Sequence, residues 1–96
     1  MSRKPEDIIE DYLHKRVREL HGHHRRVKFP GRDGAPDDLI SIPLRFPFFV
    51  ECKAPGVKFP HNAHERKQER EHKRLRRMGF KVFVVSSFAE VDEVLK

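Results

Sequence analysis

The sequence is poor in the residues that mark secreted and membrane proteins. Its 96 residues include one cysteine and no tryptophan, and only 36% are hydrophobic. A single cysteine excludes an internal disulfide framework and a cysteine-based zinc finger. No apolar run approaches the roughly 18 residues of a membrane span, and no secretory signal opens the chain. We therefore expect a cytoplasmic protein, neither secreted nor in a membrane, with one thin-cored domain over residues 1–96.

Charge is abundant instead, and it is distributed unevenly. The formal net charge is +6 with histidine neutral. Residues 14–28 carry six Lys or Arg against one Glu, residues 61–77 carry seven against three, and the remainder totals −3. All seven histidines lie in these two basic segments. This distribution indicates a nucleic-acid partner and a separate acidic centre. The alternative is a solvated helix surface that only keeps the protein soluble.

Hydrophobic spacing and turn residues predict seven elements in the order α-β-β-β-α-β-α. Apolar residues at helical spacing predict a first helix over 5–20, and a highly charged second helix over 62–78 ends at Gly79. Strands are predicted over 24–29, 39–42, 48–53 and 80–86, and a short helix over 88–95. The predicted fold class is α/β, with a mixed sheet flanked by helices.

Three polar residues lie where local folding does not need them. Asp37 follows a loop rich in glycine and proline, and Glu51 and Lys53 lie two apart on the central strand. Alternation places Glu51 and Lys53 on one face, where each needs a partner if it is buried. Carboxylates from two strands suit Mg²⁺ or Mn²⁺, and a nearby lysine can steer water and stabilise phosphate charge. On spacing alone, a Glu51–Lys53 pair closing a strand edge explains the pattern equally well.

The two long helices add further candidates. On a helical wheel, Glu6 falls about 60° from the centre of the first helix's apolar stripe and Glu10 about 100° from it. Glu6 is thus expected at the shoulder of the buried face and Glu10 further out, although a first-turn carboxylate also serves the helix dipole. Gln68 is expected on the inward face of the charged helix, where it needs hydrogen-bond partners. That face is also expected to carry His64, His72 and Leu75.

Three other features of the sequence lie outside this acidic centre: a histidine-rich tract, the single cysteine and Asn62. The His21-Gly22-His23-His24 tract is typical of a metal-binding run. It has no cysteine and lies beside Arg25 and Arg26, so a surface facing nucleic acid is the preferred interpretation. Cys52 alternates onto the apolar face of its strand and is interpreted as a small core residue, not a nucleophile. Asn62 is expected to cap the charged helix.

Two short segments carry a recognisable pattern. They are Gly34-Ala35-Pro36-Asp37 and Phe49-Val50-Glu51-Cys52-Lys53-Ala54-Pro55-Gly56. Together they resemble the PD-(D/E)xK nuclease signature and, more narrowly, the stand-alone VRR-NUC domain of phages and bacteria. The similarity extends collinearly to residues 6–13, 30–37 and 75–80 and to Gln68. It departs from relatives at Asp38, where many carry a basic residue.

The resemblance implies a restriction-endonuclease-like fold that hydrolyses DNA phosphodiester bonds with Mg²⁺ or Mn²⁺. It implies that Asp37, Glu51 and the backbone carbonyl of Cys52 bind the metal and that Lys53 orients the nucleophilic water. It assigns Gln68 to the catalytic set. The helix-one acid would be Glu6, with Glu10 as the alternative, and either would reach the metal through water. Small stand-alone members are similar to structure-specific nucleases that act as homodimers on four-way (Holliday) DNA junctions.

The first hypothesis is therefore a metal-dependent, structure-selective DNA endonuclease that acts as a homodimer on branched DNA. A thin-cored chain gains stability by burying an interface, and a two-fold dimer presents two active sites to a two-fold junction. The alternatives are a non-catalytic basic nucleic-acid-binding module and a sequence-specific restriction-type endonuclease. Phosphate contacts are expected from Arg25, Arg26, Arg32, Lys58, Lys67 and Arg70.

Overall fold

The computed structural model of the chain describes residues 3–96. Within this range, three helices and four strands follow the predicted order α-β-β-β-α-β-α. The helices are α1 (Pro5–Glu19), α2 (Ala63–Arg77) and α3 (Phe88–Val94). The strands are β1 (His23–Arg26), β2 (Asp38–Ser41), β3 (Phe48–Cys52) and β4 (Val82–Val85). The predicted α/β class is confirmed. Most elements are one to three residues shorter than predicted, and β2 has the predicted length but begins one residue earlier.

The four strands form one mixed sheet in the spatial order β1-β2-β3-β4. The β1–β2 and β2–β3 pairs are antiparallel, whereas β3 and β4 are parallel. A parallel pair needs a crossover connection, which α2 provides here. Asp38 pairs with Val50 and Leu39 with Phe49, so Asp37, one residue earlier, lies opposite Glu51.

The two faces of β3 contact different helices. Phe48, Val50 and Cys52 belong to the main core, which also contains residues of α1 and α3 such as Leu13 and Val91. Phe49, on the other face, packs with Leu75 of α2 and with Val82 of β4. The predicted alternation is therefore confirmed, including Cys52 as a core residue, and Glu51 belongs to the face covered by α2.

The start of β4 differs from the prediction because the preceding residues belong to the end of α2. The N–H of Phe80 donates to the carbonyl of Leu75, and the N–H of Gly79 donates to that of Arg76. These two bonds form a Schellman motif, which satisfies carbonyls that the helix end leaves open. Phe80 and Lys81 therefore lie outside the strand, which begins at Val82.

The end of α1 requires a glycine for space. His21 adopts the left-handed conformation, with φ 62°, and Gly22 follows it. A Cβ added to Gly22 would lie 2.5 Å from the carbonyl oxygen of Ser41. Gly22 is therefore needed where the chain passes close to β2.

Among the described residues, none of the helices is long and apolar enough to span a membrane.

Candidate active site

Asp37 and Glu51 meet at the edge where β2 begins and β3 ends. The backbone N–H of Cys52 donates to Asp37 Oδ2 at 2.8 Å, which fixes the Asp37 carboxyl across from Glu51. Glu51 is only 2% exposed. Burial, followed by the neighbouring Glu51 charge, raises the pKa of Asp37 from 3.8 to about 7. Two carboxyl groups held this close repel one another when both are ionised.

Lys53 lies between acceptors from the strand and from α2. Its Nζ donates to Gln68 Oε1 at 2.7 Å and lies 3.5 Å from Glu51 Oε2. Gln68 Nε2 in turn donates to Glu51 Oε2 at 3.3 Å. The buried Gln68 amide therefore has the partners that its inward position requires. The structure brings these three sequence-predicted side chains into one hydrogen-bonded group beside Asp37.

Glu65 belongs to the same group, although the sequence did not single it out. Its Oε2 lies 3.4 Å from Lys53 Nζ, and its Oε1 accepts from the backbone N–H of His61 at 3.0 Å. Burial opposes ionisation, but the His61 hydrogen bonds and Lys53 hold the pKa of Glu65 below its usual value. Asn62 Oδ1 accepts from the N–H of Glu65, which confirms Asn62 as the N-cap of α2. In the sequence, Glu65 could have been found from its position three residues before Gln68, since residues three apart are neighbours on a helix surface.

His72 lies behind Glu51, fully buried. Its Nε2 is 3.6 Å from Glu51 Oε1, and its ring stacks on the Phe59 ring with the two centroids 5.8 Å apart. Neither ring nitrogen of His72 nor Glu51 Oε1 has a hydrogen-bond partner among the described residues. The predicted inward face of α2 is confirmed for Gln68, His72 and Leu75 but is wrong for His64. His64 is exposed. The contacts of Glu65 with His61 and Lys53 place the Glu65 side of the first helical turn toward the sheet instead.

The two candidate acids of α1 lie in the reverse of their expected order. Glu10 is buried, and its Oε1 accepts from Arg26 at 2.7 Å. Burial, then the interaction with Asp38, raises the pKa of Glu10 to about 7. Glu6 is half-buried and forms no ion pair or side-chain hydrogen bond with residues 3–96. The expectation that Glu10 lies further out was wrong because β1 covers that side of α1 with Arg26.

Comparison with known proteins gives two informative matches. No protein-family profile matches the chain. A solved structure described as a VRR_NUC domain superposes with a TM-score of 0.85 and 36% identity, covering 97% of this chain and 96% of that one. The chain is also 43% identical over 83 residues to "Putative nuclease p44" of Acyrthosiphon pisum secondary endosymbiont phage 1, covering 85% of this chain and 83% of the phage protein. The chain belongs to the VRR-NUC nuclease family. The resemblance first inferred from its motifs is thereby confirmed.

The side chains of this VRR-NUC chain fit a hard divalent cation. Asp37 and Glu51 supply carboxylate oxygens, which Mg²⁺ and Mn²⁺ prefer. Glu51 Oε1 is buried without a hydrogen-bond partner among residues 3–96, and burial, followed by the Glu51 charge, raises the pKa of Asp37 to about 7. Both observations are expected of a site built to take a positive ion.

Asp38, the next residue of the VRR-NUC chain, faces away from this site. Its side chain is fully buried, and Oδ2 lies 3.1 Å from His14 Nε2. Burial opposes ionisation, yet the hydrogen bond with His14 helps to hold the pKa of Asp38 below its usual value. Consecutive strand residues point to opposite faces, so Asp37 and Asp38 serve different environments.

Three of the six basic candidates of the VRR-NUC chain line one surface groove. The groove, of about 290 Å³, runs between the loop before β2 and the outer side of α2. Arg32 is paired with Glu71 at 2.8 Å, whereas Lys67 and Arg70 form no ion pair with residues 3–96. The groove is lined by Gly31, Arg32, Asp33, Lys67, Arg70, Glu71 and Arg74.

The other three basic candidates lie outside that groove. Arg25 and Arg26 are exposed on β1, where Arg26 is paired with Glu10. Lys58 is exposed in the segment between β3 and α2. The structure therefore joins Arg32, Lys67 and Arg70 into one surface and leaves Arg25, Arg26 and Lys58 at separate positions.

The loop that carries Asp37 is held directly against α2. Gly34 has φ +92°, and a Cβ there would lie 3.0 Å from the carbonyl oxygen of Lys67 and 3.1 Å from Cα of Gln68. Gly34→Ala is expected to lower the free energy of unfolding by about 2–4 kcal/mol, since strained φ and a backbone clash add. Urea denaturation measures this change.

Gly31 provides the matched control for this prediction. It has φ +78° in the same loop, but a Cβ there meets nothing within 4 Å. Gly31→Ala is therefore expected to cost only the conformational part, about 1 kcal/mol. Equal losses for the two variants would contradict a specific contact between this loop and α2.

Proposed function

We propose that the chain is a Mg²⁺- or Mn²⁺-dependent DNA endonuclease that cuts branched DNA as a homodimer. The observation that carries this proposal is the convergence of Asp37 and Glu51 with Lys53 Nζ, which lies 3.5 Å from Glu51 Oε2. Membership of a nuclease family supports the reaction class, and the basic groove beside α2 supports a nucleic-acid substrate.

Asp37, Glu51 and the backbone carbonyl of Cys52 would hold the ion, with Glu10 reaching it through water. Glu10 is favoured over Glu6 because it is buried and because the Asp37 charge is among the influences that raise the pKa of Glu10. When bound, such an ion polarises the phosphodiester and makes water acidic enough to attack at neutral pH. The remaining steps depend on positioning by the chain's own side chains.

Lys53 would orient the attacking water and stabilise negative charge on the phosphate. Its Nζ is held by Gln68 at 2.7 Å and by Glu65 at 3.4 Å, so a long flexible side chain is fixed before substrate arrives. Preorganised charge of this kind stabilises a transition state without reorganisation during the reaction. Gln68 and Glu65 are positioning residues in this scheme, and His72 supports Glu51 from behind.

The groove lined by Arg32, Lys67 and Arg70 would bind the phosphate backbone next to the site. Because Gln68 follows Lys67 on α2, DNA held there lies close to Lys53. Lys67→Ala should weaken binding to every DNA shape by a similar factor and lower the salt slope of log K by about 1. Fluorescence anisotropy at several salt concentrations measures both quantities. Lys96→Ala, an exposed lysine on another surface, should leave the slope unchanged.

A second copy of this chain is the proposed partner of an apolar surface made by Leu44, Phe46 and Phe80. Leu44 is fully exposed, Phe46 is 93% exposed and Phe80 is 47% exposed. They line a cavity of about 670 Å³ between the loop after β2 and the segment between α2 and β4. Such a patch marks an interaction surface, and a two-fold dimer suits a two-fold junction.

Sedimentation velocity tests the dimer. Wild type should sediment as a dimer at micromolar concentration, and Phe46→Asp should sediment as a monomer. Ile8→Asp is the matched control, since Ile8 is 56% exposed on α1 and does not line the cavity. A monomeric wild type, or a dimer unaffected by Phe46→Asp, would remove this part of the proposal.

Cleavage assays on two substrates test the activity. Purified protein is incubated with a four-way junction and with linear duplex of the same sequence, in Mg²⁺, Mn²⁺ or EDTA. The proposal expects the junction to be cut with either metal, duplex to be cut much more slowly, and EDTA to stop both. Binding without cleavage would indicate a non-catalytic module, and defined cuts in the duplex would indicate a sequence-specific enzyme.

A further inference from the structure

A second polar cluster lies between α1 and the β1–β2 hairpin. It contains His14 of α1, His24 of β1 and Asp38 of β2, and one ligand atom of each lies within 4.8 Å of the other two. His14 Nε2 is 3.1 Å from Asp38 Oδ2, and the rings of His14 and His24 stack in parallel with centroids 3.6 Å apart. Three separate elements thus contribute metal-ligating groups to one place.

The Asp38 carboxylate of this cluster keeps a buried oxygen that has no partner among the described residues. Asp38 is fully buried, and while its Oδ2 contacts His14, its Oδ1 has no hydrogen-bond partner among the described residues. Glu10 lies beside the cluster, because its Oε1 accepts from Arg26, its Oε2 lies 3.9 Å from His14 Nε2, and burial followed by its interaction with Asp38 raises its pKa to about 7. Buried polar atoms without partners are costly and call for an explanation.

The cluster is distinct from the Asp37–Glu51 site in position and in chemistry. Asp38 pairs with Val50, whose side chain belongs to the core on the α1 side of the sheet, whereas Glu51 lies on the α2 side. Two imidazoles and a carboxylate are donors for zinc or a similar transition metal, whereas Mg²⁺ selects oxygen ligands alone. The chain therefore presents two donor sets with different metal preferences.

We propose that His14, His24 and Asp38 form a Zn²⁺ site that joins α1 to the β1–β2 hairpin, with a water as the fourth ligand. Bound Zn²⁺ would engage the unpartnered Asp38 oxygen and fix the hairpin against the helix. The inference concerns side chains other than those proposed for catalysis, so it does not rest on the proposed function.

The distances are compatible with zinc after a small rearrangement. Ligand atoms about 2.0–2.1 Å from a tetrahedral ion lie about 3.4 Å from one another. The present separations of up to 4.8 Å must shorten by roughly 1.4 Å at most to reach that value. The parallel His14 and His24 rings must also tilt to direct their lone pairs at one ion. His24 is only partly buried on an edge strand, which leaves its ring room to turn.

Metal binding to untagged, metal-free protein tests the proposal. The Glu51→Gln variant is used throughout, because it impairs the other donor set. Calorimetry with Zn²⁺ is expected to show one equivalent bound, and Co²⁺ as a probe is expected to give the visible absorption of a four-coordinate ion. Adding His24→Ala should lower Zn²⁺ affinity at least about 100-fold, and adding His23→Ala should not, since His23 is exposed on the same strand.

Circular dichroism checks that each variant is folded, and His14→Ala provides a second ligand deletion if the His24→Ala protein does not fold. Zn²⁺ should also raise the melting temperature of the Glu51→Gln protein but not of its His24→Ala form. No Zn²⁺ binding to folded Glu51→Gln protein, or equal binding with and without His24, would overturn the proposal. Neither result would bear on DNA cleavage by wild type.

Discussion

Lys53→Ala is expected to slow single-turnover DNA cleavage by about 10²–10³-fold. The residue is expected to act on the water and the phosphate, because Gln68 and Glu65 hold its Nζ beside Glu51. Removing the ammonium leaves the donor oxygens of Asp37 and Glu51 in place. Mn²⁺ affinity should therefore change by no more than a few-fold, and the loss should appear in the chemical step.

Two further variants sharpen this prediction. Lys96→Ala is the matched control, since that lysine pairs with Glu93 at the surface, and it should cut at the wild-type rate. Gln68→Ala should show a smaller loss than Lys53→Ala, because Glu65 still holds Nζ. A wild-type rate for Lys53→Ala, or a loss explained entirely by weaker Mn²⁺ binding, would contradict the assigned role.

The metal-free protein is expected to lose stability as pH rises toward neutral. Burial and Glu51 raise the pKa of Asp37 from 3.8 to about 7, so the folded state keeps a proton that the unfolded state releases. Stability is therefore lost as pH rises from about 4 and reaches its minimum above about 7. Between about pH 5 and pH 8, the Asp37 contribution is of order 2–3 kcal/mol. Glu10, with a pKa of about 7, acts in the same direction.

Asp37→Asn isolates this contribution. The neutral amide does not titrate, so the difference in unfolding free energy between variant and wild type should grow as pH rises, in favour of the variant. Urea denaturation in EDTA at about pH 5 and pH 8 measures this difference. Saturating Mg²⁺ should reduce it at the higher pH, because a bound cation stabilises the ionised carboxylate. Parallel pH profiles for the two proteins would contradict the shifted pKa.

The order of elements followed from sequence because each long element has a clear local pattern. The apolar stripe of α1 and the alternation of β3 persist in the structure, and α2 is marked by Asn62 and Gly79 at its ends. The limits of β4 could not be obtained in this way. Whether the N–H of Phe80 pairs with a strand or with Leu75 depends on how α2 ends.

The candidate site was predictable where its members lie close in sequence or share a strand pair. Glu51 and Lys53 follow from strand alternation, and Asp37 follows from its position where a loop enters a strand. The register that places Asp37 opposite Glu51 comes from the structure. The contacts of Glu65 and His72 were not predictable, because they depend on how α2 lies across the sheet. The ranking of Glu10 failed for a similar reason, since a helical wheel contains no information about the strand that covers it.

The most direct test of the central claim is single-turnover cleavage of a four-way junction in Mn²⁺ by wild type, Glu51→Gln and a Glu93→Gln control. Glu51 is buried among Gln68, Lys53 and His72, whereas Glu93 is 73% exposed at its side chain. If Asp37 and Glu51 hold the metal, Glu51→Gln lowers the rate at least about 10³-fold and Glu93→Gln does not. Folded Glu51→Gln protein that cuts at the wild-type rate would contradict the account.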